Sequence, residues 1–466
     1  MMFLRAIIFI LILIVSPAAS YAGNVSVDRA KDVAEKFFIM KSTRADKPVL
    51  MLKDSPKLQE LSKRETSAPA FYVFTCPTGG FVIVSGDDSI EPILGYSFDS
   101  EFCTDDLPAH IEWWLSQLGS VVEYASKQPH RQSSSLSAKW ECPVTVTRSA
   151  SQKLLKTAKW GQDPPYNIYC PVINESRAVT GCVATATAII MRYHCWPLCG
   201  QGSLGDYSYT YRGVTNLIKG YKLGHQYEWH KMPLDTPKTD EEIAAVAQLM
   251  LDCGVMSKMM YTPEASAAYV SDAAFGLRAN MLYSDNMTSS SFPRDLIPNE
   301  AIEIWKQQLI SNIDNYGPIL YAAYGDGANS EGHAFVVDGY DSEGMFHINF
   351  GWSGFCNGFF AFPDFGGFYK DHYAYLRIRK KSSSDIEDSA FDNTSFEYLV
   401  KEKTINISTL PNIELTILHE GNIVDSGVAP SDGNISFKTA DYNSGIYTIR
   451  LSNGPETKEF KFKITR

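Results

Sequence analysis

The sequence predicts an α+β protein in three units, the last of them a small all-β sandwich. Three observations carry this. Helix-period and strand-period apolar patterns are interleaved up to about residue 380. After that point only short β-type runs follow, separated by Gly, Asn, Pro and Asp turns. Two polar stretches, RQSSSLSAK (131–139) and KKSSSDIEDS (380–389), punctuate the chain. At 466 residues it has the length of about three ordinary domains. Hydrophobic residues make up 44% and charged residues 20%, a composition that builds packed cores and excludes a disordered or collagen-like chain. Lys and Arg number 42 against 53 Asp and Glu, a net charge of −11. That sign is wrong for a phosphate-rich partner, so no nucleic acid is expected.

Residues 1–22 read as a secretory signal peptide. The run AIIFILILIV (6–15) follows Arg5, and the small residues Ala18, Ala19, Ser20 and Ala22 close the segment. The run is short of the ~20 apolar residues a membrane span requires. The mature chain is therefore expected to carry no integral membrane segment and to be secreted or attached to the cell surface. Residues 23–149 read as a small α+β unit. Ala30, Val33, Ala34, Phe37 and Phe38 form one helical stripe. FYVF (71–74) and FVIVSGDD (81–88) form a strand pair around Pro77-Thr78-Gly79-Gly80. Ile111, Trp114, Leu115, Leu118 and Val122 mark a second helix, and residues 131–139 an exposed linker. Residues 150–380, rich in Gly, aromatics and His, read as a larger α+β unit. A linker at 381–390 leads to 391–466, where IELTIL (413–418), ISF (435–437), IYTIRL (446–451) and FKFKI (460–464) read as sandwich strands.

Nine cysteines are an odd number, so at least one thiol is unpaired unless it bonds another chain. His194, Cys195 and Cys199 lack a second ligand pair at zinc-site spacing, and no metal or cofactor is expected. In TGCVATATAIIMRYH (180–194) the run Val183–Tyr193 predicts a buried helix with Cys182 in its first turn. There the helix dipole and backbone N–H groups stabilise a thiolate, which nucleophilic catalysis requires. A buried structural cysteine is the alternative.

EGHAFVVDGYDSEGMFHINFGWSGF (331–355) predicts a β-hairpin with His333 and Asn349 on opposite arms. An odd-length loop pairs Phe335 with Asn349 and places His333 and Asn349 on one face. An even-length loop separates them unless a bulge intervenes. The order Cys182, His333, Asn349 is that of papain-like proteases, with a similar gap between Cys and His. In that chemistry the imidazole takes the thiol proton, and the Asn oxygen accepts from the other ring N–H and fixes its orientation. An oxyanion donor is also needed. Gln162, in WGQDPPYN (160–167), is the candidate, with the Cys182 N–H as second donor.

The segments WGQDPPYN, TGCVATATAIIMRYH and GHAFVVDGY…FHINFGWSG resemble the streptopain and interpain family of secreted bacterial cysteine peptidases. The resemblance implies a papain-like fold over about 150–380, with Cys182 as nucleophile, His333 as general base and acid and Gln162 as oxyanion donor. It implies that Gly332 contacts substrate backbone. The family often carries Trp directly after the Asn. Here Phe350 stands there and Trp352 is kept, a ring shielding the His–Asn pair and a candidate substrate contact. YTPEASAAYV (261–270) resembles a substrate loop, with Ala267 where a small polar residue is usual.

FVIVSGDDSIEPILGYS (81–97) and LPAHIEWWL (107–115) resemble the family's inhibitory propeptide, which implies a zymogen cut between about 131 and 153, near Arg148 or Lys153. The last stretch, SGIYTIRLSNGPETKEFKFKITR, resembles the sorting domain of type nine secretion. The implied partners are protein or peptide substrates, the chain's own propeptide and the secretion machinery. Two other readings are a surface adhesin with an inactive site and an acyl transferase using the same dyad.

Overall fold

The computed structural model describes residues 23–42, 49–64, 68–102, 109–127, 134–144, 152–292, 299–324, 332–362, 370–381, 395–399, 403–409, 411–452 and 457–464. The first unit comprises α1 (Val27–Lys41), β1 (Met51–Leu52), α2 (Pro56–Leu61), β2 (Phe71–Thr75), β3 (Phe81–Ser85), β4 (Ile93–Ser97), α3 (Ala109–Ser126) and α4 (Ser134–Glu141). Ser26 caps α1, its hydroxyl accepting from the Arg29 N–H at 3.3 Å. All five residues of the expected stripe are buried. The strand pair forms as anticipated, with Phe71 opposite Ser85 and Thr75 opposite Phe81. On α3, Leu115, Leu118 and Val122 are buried. The side chains of Ile111 and Trp114 lie outside the described residues.

The linker expected at 131–139 is corrected. Residues 134–141 form α4. The polar string stops one residue short of its anchor: Trp140 is buried and its Nε1 donates to the Ile90 carbonyl at 2.9 Å. One large ring with a satisfied N–H outweighs a run of serines.

The second unit comprises β5 (Lys153–Leu154), β6 (Val172–Ile173), β7 (Ser176–Arg177), α5 (Cys182–His194), β8 (Tyr207–Tyr211), β9 (Val214–Ile218), α6 (Asp240–Met256), α7 (Val270–Ala279), β10 (Thr288–Ser291), α8 (Asn299–Asn315), β11 (Ile319–Tyr324), β12 (Gly332–Tyr340), β13 (Met345–Asn349), β14 (Gly358–Ala361) and β15 (Lys370–Leu376). Every residue of α5 from Val183 to Met191 is buried. A helix apolar all round sits inside a core, and its alanines let α6 and β12 come close.

The two units share one antiparallel sheet, in the order β1-β2-β3-β4-β14-β13-β12-β11-β15-β10, with β5 added beside β12. The junction is β4 against β14, where Tyr96 lies opposite Phe359 and Gly95 opposite Phe360. One face carries a core of α5, α6 and α7 with Ala334 and Val336. The other carries a core common to both units, where Phe71, Phe81 and Leu115 pack with Phe335, Val337 and Phe350. Lys41 Nζ and the Tyr96 hydroxyl both reach Asp341 Oδ2 in the β12–β13 turn, at 2.8 and 2.6 Å.

The third unit comprises β16 (Ser395–Leu399), β17 (Thr404–Ser408), β18 (Glu414–His419), β19 (Asn422–Val428), β20 (Asn434–Lys438), β21 (Gly445–Ser452) and β22 (Thr457–Ile464). Sheets β16-β17-β20 and β19-β18-β21-β22 enclose Ile405, Leu415, Ile417, Phe437, Ile449 and Leu451. All four expected strand runs lie in β18, β20, β21 and β22. The pattern did not reveal β16, β17 or β19, the last an edge strand whose apolar Ile423 and Val428 are exposed. Among the described residues no helix is long and apolar enough to cross a membrane.

Candidate active site

Cys182 is the first residue of α5, and Gly181 caps the helix at φ +86°. A Cβ at 181 would stand 2.6 Å from Met259 Sδ and 3.0 Å from the Ser266 carbonyl oxygen, so the position accepts glycine alone. The Cys182 side chain is half-buried. Burial pushes its thiol up, and the N–H groups of Ala334, Val183 and Cys182 itself pull the other way without overcoming it. Burial thus favours the neutral thiol at Cys182.

Gln162 is brought to the same point by backbone bonds. The Thr180 N–H donates to the Gln162 carbonyl at 3.1 Å, two residues before the thiol. The Ser353 N–H donates to the Trp160 carbonyl at 3.0 Å, tying the WGQ segment to the end of the hairpin. Trp160 is fully buried and its Nε1 donates to the Pro233 carbonyl at 3.0 Å.

The hairpin register departs from both simple expectations. Tyr340 pairs with Phe346, leaving the odd-length turn 341–345. The ladder then slips by one at Asp338, so that Asn349 lies opposite Val336 and not Phe335. Alternation along β12 puts His333 on the face of Phe335 and Val337, and Asn349 on the face of Val336. The expected Asn349–His333 bond is therefore corrected. His333 Nε2 lies 2.8 Å from the Phe350 carbonyl oxygen. Asn349 Nδ2 donates to the Ala158 carbonyl at 2.9 Å and to Thr157 Oγ1 at 3.1 Å, and its Oδ1 accepts from the Gly351 N–H at 3.2 Å.

Trp352, expected to touch substrate, is 4% exposed and packs on the imidazole at 4.9 Å between ring centres. Phe350 stacks on Trp352 at 4.6 Å, so two rings wall the imidazole where one was anticipated. Gly332 opens β12 at the surface, directly before His333. Cys182 packs against the core that includes Ala334, the residue after His333, while the His333 ring lies among Phe335, Phe350 and Trp352.

An open cleft of about 700 Å³ is bounded by Tyr209, Tyr211, Arg212, Met260, Glu264 and Ala267. Its wall is continuous with the loop that precedes Cys182. Ser266 Oγ donates to the Val179 carbonyl at 2.7 Å, and the Val179 N–H donates to the Thr262 carbonyl at 3.2 Å. Among the described residues no group of three or more His, Cys, Asp or Glu is gathered as metal ligands.

Of the two expected cut sites, Lys153 is part of β5. It pairs with Tyr340, and its Nζ donates to the Ile313 carbonyl at 3.1 Å. A cut after Lys153 would split that strand. Arg148 lies outside the described residues.

Comparison with known proteins identifies the family. Residues 160–360 match the model of the peptidase C10 family, and residues 22–122 that of the Spi protease inhibitor. Streptopain of Streptococcus pyogenes is 30% identical over 321 residues, covering 64% of this chain and 74% of that protein. The thiol protease/hemagglutinin PrtT of Porphyromonas gingivalis is 28% identical over 358 residues, 73% of this chain but 39% of the longer relative. Among solved structures, the prointerpain A fragment of Prevotella intermedia superposes with a TM-score of 0.52 at 28% identity, covering 72% of this chain and all of that one. With an inhibitor-type domain sharing its sheet and a thiol at the head of a buried helix, the chain belongs to the peptidase C10 family of cysteine peptidases.

Proposed function

We propose that the chain is an exported endopeptidase zymogen in which Cys182 forms an acyl-enzyme with its protein substrate. The observation that carries the assignment is Cys182 as the first residue of the buried helix α5, inside the segment that matches the peptidase C10 family. His333 takes the thiol proton, and the thiolate attacks the scissile carbonyl carbon. The oxyanion that develops is met by the Cys182 N–H and the Gln162 side chain. His333 then returns the proton to the leaving amine as the C–N bond breaks. Water, deprotonated by the same imidazole, hydrolyses the thioester and restores the thiol. Asn349 contributes at one remove, by fixing the turn that carries Phe350 and Gly351. The open cleft beside Gly181 receives substrate side chains on the amino-terminal side of the scissile bond.

The first unit acts as the inhibitory propeptide. The anchoring of His333 to Phe350, and the seating of Lys41 and Tyr96 of that unit on Asp341, are what support a latent state with that unit bound. The maturation cut falls between residues 144 and 152, ahead of β5. The third unit serves as a type nine sorting domain, and residues 1–22 direct export.

The test is covalent labelling of the processed protein with a thiol-directed epoxide, followed by peptide mapping. Label on Cys182, with loss of proteolysis in Cys182→Ala, supports the assignment. Proteolysis that persists in Cys182→Ala ends it.

A further inference from the structure

A buried carboxylate in the hairpin takes no part in the chemistry described above. Asp338 occupies the slip in the β12–β13 ladder and its side chain is 1% exposed. Oδ1 lies 2.5 Å from His347 Nδ1, and Oδ2 accepts from the Thr157 hydroxyl. A carboxylate taken this far out of water persists only with such partners. Thr157 Oγ1 in turn accepts from Asn349 Nδ2 at 3.1 Å. Asn349 Oδ1 holds the Gly351 N–H at 3.2 Å, and the Phe350 carbonyl between them meets His333 Nε2 at 2.8 Å.

We infer that Asp338, His347 and Thr157 are positioning residues for the imidazole of His333, acting through Asn349 and the Phe350 carbonyl. The inference rests on His333 being the general base.

Each part of the arrangement has a local cause. The slip at Asp338 is what turns Asn349 away from His333 and toward Thr157. Glycine at 339 lets β5 run close beside the slip, since a Cβ there would stand 2.7 Å from the Lys153 carbonyl oxygen. The Leu155 N–H then donates to the Asp338 carbonyl at 2.9 Å, which sets Thr157 over the carboxylate. The segment that follows the propeptide is thus stitched to the strand of the base. The side-chain orientation supplied by an amide in the simple dyad picture is here relayed from a carboxylate on the far side of the ladder.

The separating experiment uses Thr157→Val, which keeps shape and removes the hydroxyl, with Thr157→Ser as the restoring change and Asp338→Asn as a second break. In the processed protein, Thr157→Val is expected to lower kcat about tenfold or more with KM little changed, because misplacement of a catalytic group acts on the reaction step. The pH profile of kcat/KM shifts as well, since its limbs report the coupled thiol–imidazole pair. Thr157→Ser restores both to within about twofold. A folded Thr157→Val with unaltered kcat and pH profile overturns the inference, as does loss of the melting transition in both Thr157→Val and Asp338→Asn, which assigns the network to stability alone. Activity that survives His333→Ala in the wild-type background is a separate result, and it fails the reading of the base itself.

Discussion

The Nε2 atom of His333 and the carbonyl oxygen of Phe350 stand 2.8 Å apart, while the ring of Trp352 packs over the same imidazole. Catalysis by a thiolate–imidazolium pair requires this ring to turn its proton traffic toward Cys182. In the unprocessed chain the thiol lies above its ordinary value of 9.0 because burial dominates. Thiolate is therefore scarce at neutral pH, and alkylation of Cys182 by iodoacetamide is expected to be slow there and to rise with pH to a midpoint on the alkaline side of that value. Removal of the first unit is expected to move the midpoint of the rate–pH curve down by about one unit or more. Rates measured by mass spectrometry before and after processing check this, and coincident curves would refute it.

Gly181→Ala is expected to cost about 2 kcal/mol of stability and most of the activity. The new Cβ meets Met259 and the Ser266 carbonyl, and φ +86° is strained for any residue with a side chain. Thermal melting and peptide hydrolysis measure the two effects separately.

The turn residue Asp341 meets Lys41 and Tyr96 of the first unit, and the side chains of Lys41 and Asp341 are 10% and 3% exposed. Without Lys41 the buried carboxylate keeps Tyr96 and the N–H groups of Glu343 and Met345 but loses its charged partner, at a cost of about 2 kcal/mol. Lys41→Met is expected to lower the melting temperature of the full chain and to shorten its processing half-time about tenfold. Gel sampling of the unprocessed protein over time reports the second effect, and an unchanged half-time would free this contact from any part in latency.

His194 ends α5 with its Nε2 buried and without a hydrogen-bond partner among the described residues. Burial, aided by the charge of Lys380, holds its pKa down from 6.5 to about 4. The unfolded chain takes up this proton as pH falls below 6.5, and the folded chain does not until about 4. Stability is therefore full above 6.5 and declines by up to about 3 kcal/mol as pH falls to 4. Melting temperatures at a series of pH values should show this loss, and His194→Gln should flatten it.

Ala267→Trp fills the cleft shared with Tyr209 and Met260. It is expected to lower kcat/KM for peptides about tenfold or more, while the rate of alkylation of Cys182 stays unchanged. A cleft that has no role in binding would leave both rates alike.

Local pattern was enough to place Cys182 at the head of a buried helix, because the run Val183–Met191 is made of small and apolar residues whose two threonines donate back to the helix carbonyls. It was enough for the stripe of α1 and for the strand pair around Gly79, where turn chemistry and periodicity agree. The partner of His333 was not legible, because side-chain facing along a hairpin depends on a single slip in register. That slip at Asp338 comes from a buried carboxylate and from a strand, β5, that lies far away in sequence. α4 was hidden for a related reason, since its anchor Trp140 finds its acceptor only once residues 90 and 140 are adjacent. The sequence by itself determined which residues carry the thiol, the imidazole and the amides. Tertiary structure decided which carbonyl each donor meets, because hydrogen bonds are short and directional while a one-residue slip moves every side chain to the opposite face.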